Sequence, residues 1–182
     1  MLDPSTNSRD AALLDPDFAA KLDQLIYNCA AREAEFVVDC TVRGPVVQAR
    51  LWCSSRTLLE IAAARDKLIT SGAPKLAALL LDSYTGSAHC VTHALPGEGY
   101  HEYLTAADLF LEVNGAAVWS SPLYLSVLAD EAQKLGLTAG ALWQKPKTDL
   151  DHIQASAYGS PLDEPGASWA SVEQRMVELY GL

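Results

Sequence analysis

The dipeptide Asn114-Gly115 stands between AADLFLEV (106–113) and AAVW (116–119). Asn-Gly supplies the two left-handed backbone conformations that a two-residue hairpin turn needs. The middle of the chain is therefore expected to form antiparallel strands. EFVVDCTV (35–42) is a second apolar, β-branched run, broken by RGP (43–45), and DHIQ (151–154) reads as a further strand. The rest of the pattern is helical. Asn7-Ser8-Arg9-Asp10 offers a cap, and Leu22, Leu25, Ile26 and Cys29 repeat at helical spacing, predicting a helix over 16–33. VVQARLWCSS reads as a helix entered at Pro45, where proline is tolerated. LLEIAAARDKLITSG (58–72), PKLAALLLDSY (74–84) and the amphipathic LYLSVLADEAQKLGL (123–137) complete the set, the first ending at Gly72 and the last near Gly136.

The expected fold class is thus α+β, a small antiparallel sheet flanked by helices. Residues 1–155 form the main domain. Residues 156–182 add a Pro/Gly-rich linker and a helix, SWASVEQRMVELY, with Ser168 or Ser171 as its cap. The stretch 85–100 is loop-like, punctuated by Gly86, Pro96, Gly97 and Gly99.

Composition narrows the function classes. The chain has 182 residues, 49% hydrophobic and 20% charged, enough for a folded domain with a core. A net charge of −10 argues against a general nucleic-acid binder and against electrostatic adhesion to anionic polymers. No apolar run approaches the ~20 residues of a spanning helix. The first residues lack a basic region followed by an apolar core, so synthesis in the cytoplasm without a secretory signal is the expectation. Cys29, Cys40, Cys53 and Cys90 show no CxxC pair and read as buried thiols, with a Cys40–Cys53 disulfide open.

Two segments carry chemistry. YHEYLTAAD (100–108) holds His101 and Asp108, and KTDLDHIQ (147–154) holds Asp149 and His152. Two imidazoles and a carboxylate make a three-ligand zinc set with a fourth position open for water. Asp149, three residues before His152, stands where a general base belongs. Each pair alone is a weak signal, and His89 and His93 permit another ligand set.

Taken in order, NSRDAALLDPDFAAKL, CTVRGPVVQARL, SSRT, VTHALPGEGYHEYLTAAD, VNGAAVW, KLGLTAGALW and DLDHIQ resemble zinc peptidases of the D-alanyl-D-alanine carboxypeptidase superfamily. The likeness is greatest to the branch of phage endolysins and L-alanyl-D-glutamate endopeptidases that cut peptidoglycan stem peptides, and runs from Asn7 to Gln154. The resemblance implies the D,D-peptidase-like (hedgehog-type) fold and a Zn2+ cofactor. It implies His101, Asp108 and His152 as metal ligands and Asp149 as catalytic acid/base. It also implies Arg43 as the group that steadies the tetrahedral intermediate or a substrate carboxylate, and Gln48 and Trp143 as substrate-binding residues.

Three departures stand out: Gly99 where the family has serine, Leu104 where it has glycine, and Ala139-Gly140-Ala141 in place of a Trp-Gly-Gly-like stretch. The implied partner is the peptidoglycan stem peptide, reached after release by lysis or injection, and the C-terminal tail could meet a carrier or immunity partner. D,D-cleavage, a secreted wall-degrading toxin and a non-catalytic wall-binding relative are the alternatives.

Overall fold

The structure is a computed structural model that describes residues 1–81, 92–145 and 147–182. His89 and Cys90 lie outside the described residues. The helices are α1 Pro16–Ala30, α2 Pro45–Cys53, α3 Leu58–Thr70, α4 Pro74–Leu81, α5 Asp130–Lys134 and α6 Trp169–Tyr180. The main sheet has five strands, β1 Phe36–Cys40, β2 Ala106–Val113, β3 Ala116–Val118, β4 Thr138–Ala139 and β5 His152–Gln154. The fold is mixed, with small antiparallel sheet structure and flanking helices. None of the described helices is long and apolar enough to cross a membrane.

The chain divides into two compact units. The first comprises Met1–Asn7, Arg43–Tyr103 and Tyr158–Leu182, and the second Ser8–Val42 and Leu104–Ala157. Each has an apolar core of its own.

In the second unit the sheet runs β1-β2-β5-β4, all antiparallel. β3 folds back on β2 with Val113 opposite Ala116, across Asn114 (φ +53°) and Gly115 (φ +77°), the turn the dipeptide predicts. β2 alternates: Ala107, Leu109 and Leu111 are buried in the core, so Asp108 takes the opposite face. α1 is capped by Asp15, which accepts from the Asp17 and Phe18 amides, and it buries Phe18, Leu22, Leu25 and Cys29. It stops at Ala30 rather than 33 because the chain reverses through Glu33 (φ +59°), with Ala34 N–H bonded to the Cys29 carbonyl. The expected helix 123–137 is wound differently from a single α-helix. Tyr124–Ala129 is a π-helix that runs into the short α5. Tyr124 is anchored at its start: its hydroxyl donates to the Val118 carbonyl at 2.8 Å and accepts from the Leu111 amide at 3.0 Å.

In the first unit, α3 carries a Thr57/Glu60 capping box and α6 a Ser168/Ser171 one. Trp169, Val172, Met176 and Tyr180 of α6 join Trp52, Ile61, Leu68, Leu76 and Leu80 in one core. The Glu173 carboxylate accepts the Lys75 and Leu76 amides (2.6 and 2.9 Å), so α6 also supplies a side-chain partner for the first turn of α4.

Candidate functional site

The sheet of the second unit assembles a cluster of chemistry-bearing groups on the face away from its core. Asp108 on β2 and His152 on β5 are register partners, which places their side chains together. Asp108 Oδ1 lies 3.1 Å from His152 Nδ1. Ile153 points the other way, into the core, as strand alternation demands. Gln154, two residues on, shares the face of His152, and its Oε1 lies 2.9 Å from His152 Nε2. Trp143 covers the imidazole, ring centroids 5.3 Å apart.

Cys40 reaches the same face by a different route. Phe36 and Val38 pair with Leu111 and Leu109 on the core side, and continued alternation would send Cys40 there too. A register shift between Val38 and Cys40 leaves Asp39 as the extra residue and sets Cys40 opposite Asp108. Its Sγ lies within 4.8 Å of an Asp108 carboxylate oxygen. Cys29, Cys40 and Cys53 are free thiols, so the Cys40–Cys53 disulfide does not form.

Asp149 is exposed and held by its backbone, its N–H donating to the Gly140 carbonyl at 3.1 Å. The loop that carries it is tied again by Trp143 N–H to the same carbonyl and by the Thr148 hydroxyl to the Trp143 carbonyl. Asp149 shares a side-chain hydrogen bond with Asp151. Burial first, then that bond and the charges of Asp108 and Asp149, push the Asp151 carboxyl up to about 7. Sequence reasoning passed over Asp151, although its Asp-x-Asp spacing from Asp149 was the signal available. Burial, the largest single influence, disfavours the imidazolium of His152, but Asp108, Asp149 and Gln154 together outweigh it, so its pKa is raised.

The donor set fits a divalent cation. Two atoms bound to one tetrahedral zinc at 2.0–2.2 Å stand about 3.3–3.6 Å apart, close to the separation of Asp108 Oδ1 and His152 Nδ1. Without a cation, a proton on the ring holds these two acceptors together, which accounts for the raised pKa of His152.

The other residues singled out in the sequence belong to the first unit. His101 is buried on the 3-10 turn Tyr100–Tyr103. Its neighbour Glu102 is also buried, its two carboxylate oxygens accepting from the Gly97 and Gly99 amides at 2.8 and 3.3 Å. Burial raises that carboxyl to about 8, against the pull of the two amides and Arg43. Tyr180 donates to the Glu102 carbonyl and Tyr103 to that of Gly97, bracing the turn. A β-carbon on Gly99 would stand 3.5 Å from Glu102 Oε2, so a serine fits there.

Arg43 is followed by Gly44, whose β-carbon would lie 2.4 Å from the Pro4 carbonyl oxygen, so this position admits only glycine. Gly44 N–H donates to Thr6 and Val46 N–H to Pro4, which fixes the backbone beside Arg43. Gln48 is buried on α2 and donates to Thr92 Oγ1 and to the Ala94 carbonyl, using both amide hydrogens inside the protein. His93 is exposed. A cleft of about 360 Å³ in the first unit, lined by Tyr103, Glu164 and Arg175 among others, holds none of the candidate catalytic, metal or substrate-binding residues.

No protein-family model matches the chain, and no curated protein matches it. Among solved structures it is similar to the crystal structure of the L-Ala D-Glu endopeptidase ChiX of Serratia marcescens, with a TM-score of 0.45 and 15% identity over 83% of this chain and 89% of that one. A likeness of that extent carries no residue roles across, and the site stands on its own geometry.

Proposed function

We propose that the protein is a zinc-dependent peptidase that cleaves peptidoglycan stem peptides at the L-alanyl-D-glutamate bond. The observation that carries the reading is the Asp108–His152 pair at 3.1 Å beside the Asp149–Asp151 carboxyl pair. A cation-binding pair next to two hydrogen-bonded carboxyls, with Asp151 pushed up to about 7 chiefly by burial, is the equipment of metal-assisted hydrolysis. The motif order from Asn7 to Gln154 supplies the substrate class.

His101, Asp108 and His152 would hold the zinc. When bound, the ion supplies Lewis acidity that acidifies a water and polarises the scissile carbonyl. Asp149 takes the proton from the attacking water and returns it to the leaving amine. Asp151 sits behind it as the partner that shares its proton. Arg43 offers a permanently charged fork to the developing oxyanion. Trp143 and Gln48 line the substrate side, Gln48 through its carbonyl oxygen, since both its amide hydrogens are already donated.

The test is metal content of the purified protein read together with mass spectrometry of a muropeptide digest. The expected result is one zinc per chain and new D-glutamate amino termini. Asp149→Ala is expected to retain zinc and lose at least about 100-fold in rate, the usual worth of a general base. Release of D,D-products instead would move the assignment to a D,D-peptidase. Zinc without any new termini would make the chain a binding relative, and digestion by Asp149→Ala at the wild-type rate would remove Asp149 as the base.

A further inference from the structure

The row of side chains next to the polar cluster, on the same outer face of the sheet, is apolar and open. Asp108 pairs with Cys40 on one edge of β2 and with His152 on the other, and this row carries the cluster. Two residues on, Phe110 shares the face of Asp108, and its register partner on β1 is Val37. On the opposite edge β3 ends with Val118 beside Leu111, and the next residue, Trp119, sets its ring against Phe110 with centroids 5.6 Å apart. Val37 is 37% exposed and Trp119 49%, so Val37, Phe110 and Trp119 form a shelf that the second unit leaves uncovered. One exposed apolar side chain is ordinary, but a row of three that continues a polar cluster has the make-up of a ligand surface. The row after it is acidic: Glu112 on β2 faces Glu35, whose carbonyl accepts the Glu112 amide at 2.7 Å.

We infer that the Val37–Phe110–Trp119 shelf holds the sugar ring that precedes the stem peptide, the muramoyl residue, and that Trp119 sets the preference for it. The inference rests on the peptidase reading above. Spacing supports this occupant. Adjacent rows on β2 stand about 7 Å apart. The L-alanine and the lactyl link that separate the scissile carbonyl from the sugar span about the same distance, two residues' length. Charge supports it as well. Glu35 and Glu112 at the rim disfavour an anion, and the muramoyl carboxyl is consumed in its amide to L-alanine, so this sugar is neutral. Its chemistry matches the shelf: the C–H groups on the flat side of a sugar suit the negative face of an aromatic ring. Its hydroxyl and acetamide hydrogens remain for acceptors at the rim, where the two carboxylates stand. Binding energy taken from the sugar then serves the reaction one row away.

Two substrates separate sugar from peptide: a stem tetrapeptide capped with N-acetylmuramic acid, and the same peptide capped with acetyl. Wild type is expected to cleave the first with a kcat/KM about 10-fold higher, the worth of covering one sugar's apolar face. Trp119→Ala is expected to bring that ratio close to one, and Trp119→Tyr, which keeps a ring, to retain most of it. A wild-type ratio near one, or an unchanged ratio in Trp119→Ala, overturns the inference and leaves the peptidase reading standing. A Trp119-dependent preference for lysine over alanine at the third peptide position, in place of the preference for the sugar, also overturns it, because the shelf would then hold that amine. If neither substrate is cleaved, the peptidase reading fails, and binding decides the shelf alone. Muramoyl-L-alanine is titrated into the protein while NMR follows the Trp119 indole N–H, assigned with Trp119→Tyr. A shift with this compound and none with N-acetyl-L-alanine supports the shelf, and equal shifts or none overturn it.

Discussion

Gly140 and Asp149 are locked to each other. The Asp149 amide donates to the Gly140 carbonyl at 3.1 Å, and a β-carbon on Gly140 would lie 2.5 Å from the Asp149 carbonyl oxygen and 3.2 Å from the β-carbon of His152. One glycine therefore lets the proposed base and a proposed ligand approach the same point of the chain.

Gly140→Ala is expected to shift Asp149 and His152 together. The overpacking should cost about 1–3 kcal/mol in stability. Activity should fall much further than the unfolded fraction accounts for. Denaturant melts alongside digestion rates check this, and a variant with wild-type rate would show that the close approach does not matter to the site.

Leu104 has φ +65°, the left-handed region in which a side chain crowds the following carbonyl. Glycine adopts this conformation without the β-carbon penalty, so the leucine is a strained residue. Its carbonyl accepts the Asp15 amide at the start of α1, which holds the conformation in place. Relief of about 1–2 kcal/mol is offset by glycine's backbone entropy, so Leu104→Gly is expected to raise stability by up to about 1 kcal/mol, while Leu104→Ala gives no gain. Thermal melts of the two variants decide it. A Leu104→Gly variant less stable than Leu104→Ala would mean that the strain of a β-carbon at this position is smaller than glycine's backbone entropy cost.

Glu102 makes stability depend on pH. Its carboxyl is raised from 4.5 to about 8 on folding, chiefly by burial, so the folded protein holds this proton more tightly than the unfolded chain does. Its contribution is fully present below about pH 4.5 and is lost as pH rises through about 8. Unfolding free energies measured from pH 5 to 9 should show this decline, and Glu102→Gln, which has no proton to lose, should flatten it. An unchanged slope in that variant would place the titration elsewhere.

Cys29 and Cys53 should be chemically silent. Burial pushes the Cys29 thiol up to about 12 and the Cys53 thiol up to about 11, against small opposing effects of Arg32 and Arg56. At pH 8 neither offers appreciable thiolate, the reactive form. Alkylation of the folded protein followed by peptide mapping is expected to leave both unmodified, with full labelling once the chain is denatured. Rapid labelling of either in native protein would contradict their burial.

The legible part of the site followed from short-range pattern. Asn114-Gly115 announced the hairpin, and AADLFLEV announced the strand that carries Asp108. Ser168 marked where α6 begins, whereas α1 takes its cap from Asp15 rather than from the Asn7–Asp10 stretch that the sequence offered. The missed residues share one property: their roles depend on another strand or on burial. Cys40 looked like a core thiol until the register shift after Val38 turned it toward Asp108. Asp151 drew no reading from the sequence, because the burial beside Asp149 that raises its proton affinity is a property of the folded chain.

By itself the sequence determined the elements, because helix and strand periods, caps and turn residues act within a few neighbours along the chain. Only the tertiary structure decided which polar groups meet. Register, a one-residue bulge and desolvation are properties of paired strands and packed cores, and a period read along one strand does not contain them.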